Sequence, residues 1–258
     1  MPVVHPPVSA SRFVPPALAC TDEAPVLCVQ DLHFSYPDGH AALRGVSLSL
    51  SQGEKAALVG ANGAGKSTLM LHLNGILSGQ GKVQVAGMPV TRPNLPLIRA
   101  RVGMVFQSPD DQLFSPTVFE DVAFGPLHMG LPEEEVRRRV ARALEMVKMG
   151  AYAQRLSHHL SLGEKKRIAI ATVLSMEPEI LVLDEPSSGL DPRARRSLIG
   201  LLRELPLTML VSTHDMWMVA ELFERMIIMD EGRIVADGPA EVLLKDEALL
   251  NAHGLERP

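Results

Sequence analysis

A glycine-rich stretch that ends in one basic and two hydroxyl residues has the composition of a phosphate-binding loop. It reads GANGAGKST, follows the apolar run at 56–59 and precedes a helical pattern. Glycines let backbone N–H groups close around phosphates, and a helix N-terminus favours anions. We expect Lys66 to reach the β- and γ-phosphates, Ser67 to ligate Mg²⁺ and Thr68 to bond near the α-phosphate. The candidate nucleotide-binding residues are Gly60, Ala61, Asn62, Gly63, Ala64, Gly65, Lys66, Ser67 and Thr68.

Two adjacent carboxylates follow another apolar run. Residues 180–185 read ILVLDE, so Asp184 and Glu185 stand at the end of a predicted buried strand. A carboxylate beside a phosphate-binding loop suits Mg²⁺, and we assign this role to Asp184. Glu185 could orient or deprotonate a water molecule. An isolated strand with this ending is weak evidence, but together with the loop it predicts nucleoside triphosphate hydrolysis.

A serine and a glycine precede a charged run at the start of a further predicted helix. Residues 160–167 read LSLGEKKR. Ser161 is a good N-cap, and Glu164 three residues later completes a capping box. Read alone, this stretch is only a helix start.

The elements that must position these residues follow an α/β order. Near-continuous apolar runs at 56–59, 102–106, 180–183, 209–211 and 226–229 are typical of strands buried on both faces of a parallel sheet. Earlier runs at 27–30, 46–50 and 83–86 alternate and predict an antiparallel sheet.

The segment from about 107 to 160 has a helical pattern instead. One helix is expected to begin with Pro132 at its first position. Its apolar face carries Val136, Val140, Leu144 and Val147, and we expect Arg137, Arg138 and Arg139 to be solvated.

Three segments make up the predicted domain organisation. Residues 26–244 form one nucleotide-binding domain, with the helical subdomain at about 107–160 inserted in it. Residues 1–25 hold six prolines and are expected to be a disordered or loosely docked tail. Residues 245–258 are expected to be a C-terminal tail.

Composition excludes several classes of protein. The 258 residues carry a net charge of −5, which argues against a nucleic-acid partner. Cys20 and Cys28 are too few for a disulfide framework and lack metal-ligand spacing. No segment approaches the roughly 18 apolar residues of a membrane span, and the N-terminal prolines are unlike a signal peptide. We therefore expect a soluble protein whose membrane role, if any, depends on a partner.

Five motifs in order resemble an ATP-binding cassette ATPase: GANGAGKST, LSLGEKKR, ILVLDE, SSGLD at 187–191 and STHD at 212–215. The resemblance runs from about residue 26 to 244. It implies a RecA-like P-loop core with an antiparallel β subdomain and an inserted helical subdomain. It also implies that two cassettes face head to tail around two ATP molecules. Ser161 and Gly163 would then cap the γ-phosphate of ATP bound to the other protomer.

The resemblance assigns further roles residue by residue. Tyr36 looks like the aromatic residue that stacks on adenine, although a half-buried strand tyrosine would look the same. Gln107 resembles the glutamine that touches Mg²⁺ and water. Asp191 resembles an acid that signals across the dimer, and His214 a histidine that contacts the γ-phosphate and holds Glu185. With Glu185, His214 and Gln107, Lys66 completes the candidate catalytic set.

The motif LSLGEKKR departs from the common family pattern LSGGQ. Leu162 replaces the first glycine and Glu164 the glutamine. Leucine does not freely adopt a positive φ, so we expect ordinary backbone angles at this residue.

Residues 107–126, QSPDDQLFSPTVFEDVAFGP, resemble ATPase subunits of energy-coupling factor importers, especially those for cobalt or nickel. In such importers this region docks a transmembrane coupling subunit. The expected docking residues are Asp110, Asp111, Leu113 and Phe114, with Val118 and Phe124 also available to line the groove. The alternative is that the apolar residues are subdomain core and the acids are solvated.

The resemblance also implies the partners and the location. They are a second cassette subunit, with a homodimer favoured over a heterodimer, a transmembrane coupling subunit and a substrate-binding membrane subunit. The protein would lie at the cytoplasmic face of the cell membrane. A vitamin importer, another ABC transporter and a soluble non-transport ABC ATPase remain as alternatives.

Overall fold

The computed structural model describes residues 25–258, and residues 1–24 of the predicted tail lie outside them. In this part of the chain the strands are β1 (Leu27–Ser35), β2 (Ala41–Leu50), β3 (Lys55–Val59), β4 (Gln80–Val85), β5 (Met88–Pro89), β6 (Val102–Val105), β7 (Ile180–Asp184), β8 (Thr208–Ser212), β9 (Arg225–Asp230) and β10 (Arg233–Pro239). The α-helices are α1 (Lys66–Leu73), α2 (Leu95–Arg101), α3 (Val118–His128), α4 (Glu133–Met146), α5 (Leu162–Leu174), α6 (Pro192–Glu204), α7 (Met216–Leu222), α8 (Ala240–Leu243) and α9 (Glu247–Ala252).

The larger sheet has the order β10-β9-β3-β8-β7-β6. Its strands are parallel except for β10, which pairs antiparallel with β9. The predicted parallel core and its five buried strands are therefore confirmed. Because β3, β7 and β8 are neighbours, their carboxyl ends place the phosphate-binding loop, Asp184 and Ser212 at one edge of the sheet.

The smaller sheet is antiparallel, as the alternating runs predicted, with the order β2-β1-β4-β5. Strand β1 continues to Ser35 and does not end near residue 30. Its pairing with β2 shifts register between Val29 and Leu32, and Asp31 takes a positive φ of 47°. This irregularity interrupts the alternation of side chains, which is why the sequence pattern predicts a shorter strand.

Helices α3, α4 and α5 form a helical layer. The predicted face of α4 is buried, but Pro132 is the N-cap and the helix begins at Glu133, one residue later than expected. Arg137 and Arg138 are solvated as expected. The side chain of Arg139 is only 16% exposed, because it contacts Glu135 and Glu177.

The C-terminal segment, expected as a tail, packs against the domain. Helix α9 lies within it, and Leu250 and Leu255 are buried in the core. Residues 254–258 also line the cleft at the phosphate-binding loop. No helix among residues 25–258 is long and apolar enough to cross a membrane.

Candidate nucleotide-binding and hydrolysis site

The phosphate-binding loop lies between β3 and α1 and borders a cleft of about 1100 Å³. All nine residues of the loop from Gly60 to Thr68 line this cleft. Gly65 is the N-cap of α1 with a φ of 103°, and a Cβ there would lie 2.6 Å from the Ala42 carbonyl oxygen. Glycine is therefore required at this position for the loop to close against β2.

Lys66 is folded back onto its own loop. Its Nζ donates to the carbonyl oxygens of Gly60 at 2.7 Å and Ala61 at 3.1 Å. Burial lowers the pKa of Lys66, while the carboxylates of Glu185 and Asp184 raise it. To reach nucleotide phosphates as predicted, the ammonium must leave these carbonyl oxygens.

The two predicted acids, Asp184 and Glu185, are both buried at the edge of the cleft. The Ser212 hydroxyl donates to one carboxylate oxygen of Asp184. Glu185 has a positive φ of 45°, which costs roughly 1–3 kcal/mol for a residue with a side chain. Its N–H is held by the carbonyl and hydroxyl oxygens of Ser212, both at 3.1 Å. Such local strain, sustained by surrounding contacts, is common at active sites.

His214 lies beside the second of these acids, as the sequence predicts. Its Nδ1 is 2.8 Å from Oε2 of Glu185, and its backbone N–H donates to the same oxygen at 3.4 Å. The imidazole is 63% exposed and faces the cleft. Glu185, which follows β7, is thus oriented by groups at the end of the neighbouring strand β8.

The predicted magnesium ligands are chemically suited to the ion. Ser67, Gln107 and Asp184 supply hydroxyl, amide and carboxylate oxygens, and all three line the cleft. Mg²⁺ prefers such hard oxygen donors and retains water or phosphate oxygens in its shell. Among the described residues no group of three His, Cys, Asp or Glu side chains could hold a metal alone. The hydroxyl, amide and carboxylate oxygens of these three residues fit a magnesium ion.

Tyr36, the candidate for stacking on adenine, lines the same cleft. Its ring meets Phe34 edge to face at a centroid distance of 5.0 Å. Its hydroxyl is 3.0 Å from Oγ1 of Thr68. The Thr68 hydroxyl, expected to bond near the α-phosphate, is thus already engaged and helps to orient the ring.

Removing the Tyr36 ring is expected to weaken nucleotide binding. The Tyr36→Ala chain should bind ATP roughly 2- to 12-fold more weakly, since aromatic pairs contribute about 0.5–1.5 kcal/mol beyond area burial. Tyr36→Phe keeps the ring and should bind like the wild type. Titration with a fluorescent ATP analogue measures both, and equal affinity of all three chains would show that Tyr36 does not stack.

Ser161 caps helix α5 with the predicted capping box. The Ser161 N–H and hydroxyl donate to Oε2 of Glu164 at 2.8 and 2.7 Å. These two bonds, with one from Tyr152, lower the pKa of Glu164, which is therefore a carboxylate at neutral pH. The expectation for Leu162 is met because its φ is not positive. Gly163 permits close packing, since a Cβ there would lie 3.3 Å from the Ala194 Cβ.

The turn at 161–163 does not face the cleft of its own chain. Neither Ser161 nor Gly163 is among the cleft-lining residues in the described part of the chain. Asp191 is the N-cap of α6, and its Oδ1 accepts from the N–H groups of Arg193 and Ala194 at 2.8 and 2.9 Å. The bond from Ala194 lowers the pKa of the Asp191 carboxyl most, and the bond from Arg193 lowers it further. The turn at 161–163 packs against the start of α6, where Gly163 lies against Ala194.

The predicted docking residues divide into exposed and buried groups. Phe114 is 64% exposed and meets Phe124 edge to face at 5.0 Å. Val118 is fully buried, so its expected place in the groove is wrong, because it packs in the helical core. Leu113 is partly buried against that core. Asp110 already pairs with Lys165 at 2.7 Å.

Two contacts at the site were not predicted from the sequence. The buried Lys166 donates to the carbonyl oxygens of Glu185 at 3.1 Å and Gln107 at 3.3 Å. Burial lowers its pKa to about 8, against the raising effect of Glu185 and Asp184. Arg195 of α6 pairs with Asp215 beside His214, its Nη2 donating to Oδ1 at 2.7 Å. For Lys166 a signal existed, since it begins the helical spacing continued by the buried residues at 169, 170 and 173.

A P-loop beside a strand-end acid pair, on a parallel α/β core, defines a P-loop nucleotide hydrolase. Residues 43–188 match the family model described as ABC transporter. An energy-coupling factor transporter ATP-binding protein of Methanothermobacter thermautotrophicus is 50% identical over 89% of this chain and 76% of its own.

Two solved structures are also similar. CbiO1 from Clostridium perfringens, described as part of the ABC transporter complex cbiONQ, is 39% identical with a TM-score of 0.79, covering 88% of this chain and 94% of its own. A dimeric ATP-binding cassette in a post-hydrolysis state with ADP and Pi is 25% identical with a TM-score of 0.74, covering 83% and 98%.

The chain belongs to the ABC transporter family. It is an ATP hydrolase, and its resemblance to the ATPases of energy-coupling factor transporters is confirmed.

Proposed function

We propose that two copies of this chain sandwich two ATP molecules and drive an energy-coupling factor importer for cobalt or nickel ions. The observation that carries the dimer is the position of the turn at 161–163, a helix start outside the cleft of its own chain. Free N–H groups at a helix start favour anions. The turn therefore serves ATP in the cleft of a second copy. The homodimer is favoured, and a heterodimer with a related cassette is the alternative.

Each residue of the site has a proposed task in hydrolysis. The loop at 60–68 and Lys66 hold the phosphates, and Tyr36 stacks on adenine. Bound Mg²⁺, held by Ser67, Gln107 and Asp184, would offset the charge of the phosphates.

The remaining residues act on the attacking water and across the dimer. Glu185 accepts a proton from the water, and His214 holds Glu185 and contacts the γ-phosphate. Ser161 and Gly163 cap that phosphate from the partner copy, and Asp191 transmits the state of one site to the other.

Docking to a transmembrane coupling subunit is assigned to the exposed surface around Asp110, Asp111 and Phe114, with Leu113 beneath it. Its support is the exposed aromatic pair of Phe114 and Phe124, beside two exposed acids. Asp110 already forms an ion pair with Lys165, so a basic residue of the coupling subunit would pair with the exposed carboxylate of Asp111. A substrate-binding membrane subunit completes the complex, which places this chain at the cytoplasmic face of the cell membrane.

The cargo is tested by uptake into vesicles that hold the assembled complex. Radiolabelled cobalt or nickel ions should accumulate in ATP-loaded vesicles that hold the wild-type complex. They should not accumulate in vesicles whose complex carries Glu185→Gln. ATP-dependent accumulation of a vitamin such as biotin without either ion would overturn the cargo and retain the transporter.

Charge reversal at the docking surface should separate assembly from hydrolysis. We expect the Asp110→Lys, Asp111→Lys chain to bind the coupling subunit at least about tenfold more weakly, since like charges at an interface are costly. Its own ATPase rate should not change. The matched control reverses Glu133 and Glu134, an adjacent exposed pair on α4. Pull-down of the coupling subunit at wild-type level by the first variant would show that docking occurs elsewhere.

A further inference from the structure

We propose that Lys166 is a positioning residue for ATP hydrolysis, because it holds the backbone of Glu185 and Gln107 in the hydrolysing arrangement. This inference rests on the proposed role of Glu185. Lys166 lies in the second turn of α5, on the helical layer, whereas Glu185 follows β7 of the core sheet. A single side chain thus joins two parts of the molecule at the site.

The surroundings of Lys166 are unusual for a lysine. The residue is 5% exposed, and its Nζ donates to two backbone carbonyl oxygens. In the region from 25 to 258 no carboxylate forms an ion pair with it. Burying a cation is costly, and the nearby carboxylates of Asp184 and Glu185 offset only part of this cost. Retaining an ammonium at this position therefore requires a task that its charge and N–H groups perform.

The carbonyl that Lys166 holds belongs to the strained residue of the site. Glu185 has a φ of 45°, a conformation that persists only when neighbouring groups impose it. Ser212 secures the N–H of Glu185 from β8, and Lys166 secures its carbonyl oxygen from α5. Held at both ends, the residue directs its carboxylate to His214 at 2.8 Å. Without Lys166 the carbonyl side of this arrangement is released.

Helix α5 links the two ATP sites of the proposed dimer. Its N-cap, Ser161, serves ATP in the partner, while Lys166 contacts Glu185 and Gln107 in its own chain. A shift of α5 when the dimer closes therefore acts on the carbonyl oxygens of both residues. Lys166 therefore couples hydrolysis in the cleft of its own chain to the contact between α5 and the ATP in the partner's cleft.

Replacement of Lys166 by an apolar residue of similar length tests this role. For Lys166→Met we expect kcat to fall about tenfold, the lower end of the effect of supporting groups around an active site. The KM for ATP should stay within about twofold, because the phosphate-binding loop is untouched. The melting temperature should fall moderately, because the variant leaves two buried carbonyl oxygens without a donor and the buried carboxylates of Asp184 and Glu185 without this nearby cation. Lys166→Gln, which keeps an N–H donor, should recover part of kcat. Lys245→Met removes an exposed lysine far from these contacts and should match the wild type.

The outcomes separate this proposal from the assignment of Glu185. If Lys166→Met and Lys166→Gln both turn over at the wild-type rate while Glu185→Gln is inactive, the positioning role is wrong and Glu185 stands. If Glu185→Gln also retains the wild-type rate, the assignment of Glu185 is the one that fails. If both Lys166 variants lower kcat and raise the KM for ATP by similar factors, and Lys166→Gln recovers none of the rate, Lys166 is only a structural residue.

Discussion

Glu185→Gln is expected to remove nearly all turnover and to leave ATP binding intact. Glutamine has the same size and can keep an oxygen toward His214, but it cannot accept a proton from water. General-base catalysis contributes typically about 10²–10⁴-fold, and a loss in this range is expected. The loop at 60–68 is unchanged, so ATP should bind and remain unhydrolysed. Sedimentation velocity with Mg-ATP should then show the closed dimer accumulating.

Glu179→Gln is the matched control for this variant. Glu179 precedes β7 and pairs with Arg101 at 3.3 Å on the surface, away from the cleft. The Glu179→Gln substitution removes the same charge as Glu185→Gln. This variant should hydrolyse ATP at the wild-type rate and should not accumulate as a closed dimer. A Glu185→Gln chain that hydrolyses ATP as a monomer would contradict the assigned role.

Ser161→Ala is expected to do two kinds of damage. It removes the side-chain cap of α5, which costs about 0.5–2 kcal/mol of unfolding free energy. It also removes the hydroxyl that, in the proposed dimer, turns from Glu164 to the γ-phosphate of ATP in the partner copy. Loss of one donor to developing charge lowers kcat by roughly 10²–10³-fold, far more than the lost stability explains. ATPase rate and urea midpoint, measured on the same preparation, separate the two effects.

Helix α3 supplies a matched control for the cap. Thr117 caps it with the same capping box, in which Glu120 is the reciprocal partner. Thr117→Ala should lower the urea midpoint comparably and leave the ATPase rate of the isolated chain unchanged. If Ser161→Ala behaved in the same way, Ser161 would be only a helix cap.

Glu164→Gln addresses the departure from the common motif. Glutamine can also accept the Ser161 N–H, so the urea midpoint should stay almost unchanged. The ionised Glu164 lies one turn from the proposed γ-phosphate contact, where a negative charge is unfavourable. The variant should therefore dimerise with ATP as tightly as the wild type or slightly more tightly, as sedimentation can measure. Weaker dimerisation would mean that the carboxylate aids closure.

The sequence predicts the core of this molecule well because the relevant signals are local. Apolar runs marked the parallel strands, and the motif residues at their carboxyl ends converge because neighbouring parallel strands end at one edge. The family resemblance implied the contact between His214 and Glu185, and the neighbouring ends of β7 and β8 bring the two residues together. The capping box at Ser161 depends only on residues three positions apart.

Other features depend on contacts that no local pattern contains. Helical spacing places Lys166 on the buried face of α5, but its contact with Glu185 depends on the packing of this helix against the sheet. The pairing of Arg195 with Asp215 joins residues 20 positions apart. The C-terminal helix lacks a long apolar pattern, yet Leu250 completes the core. Tertiary packing decides each of these cases.

The central claim is that each ATP is hydrolysed between two copies, and mixing two defective variants tests it most directly. Lys66→Ala impairs the cleft, and Ser161→Ala impairs the turn that serves the partner's cleft. In a mixed dimer one site combines an intact cleft with an intact Ser161, so activity should reappear. Random pairing makes half of the dimers mixed, each with one intact site, so an equimolar mixture should reach at most about one quarter of the wild-type ATPase rate, and less where the two sites are coupled. A mixture no faster than the average of the two variants alone would contradict the shared site.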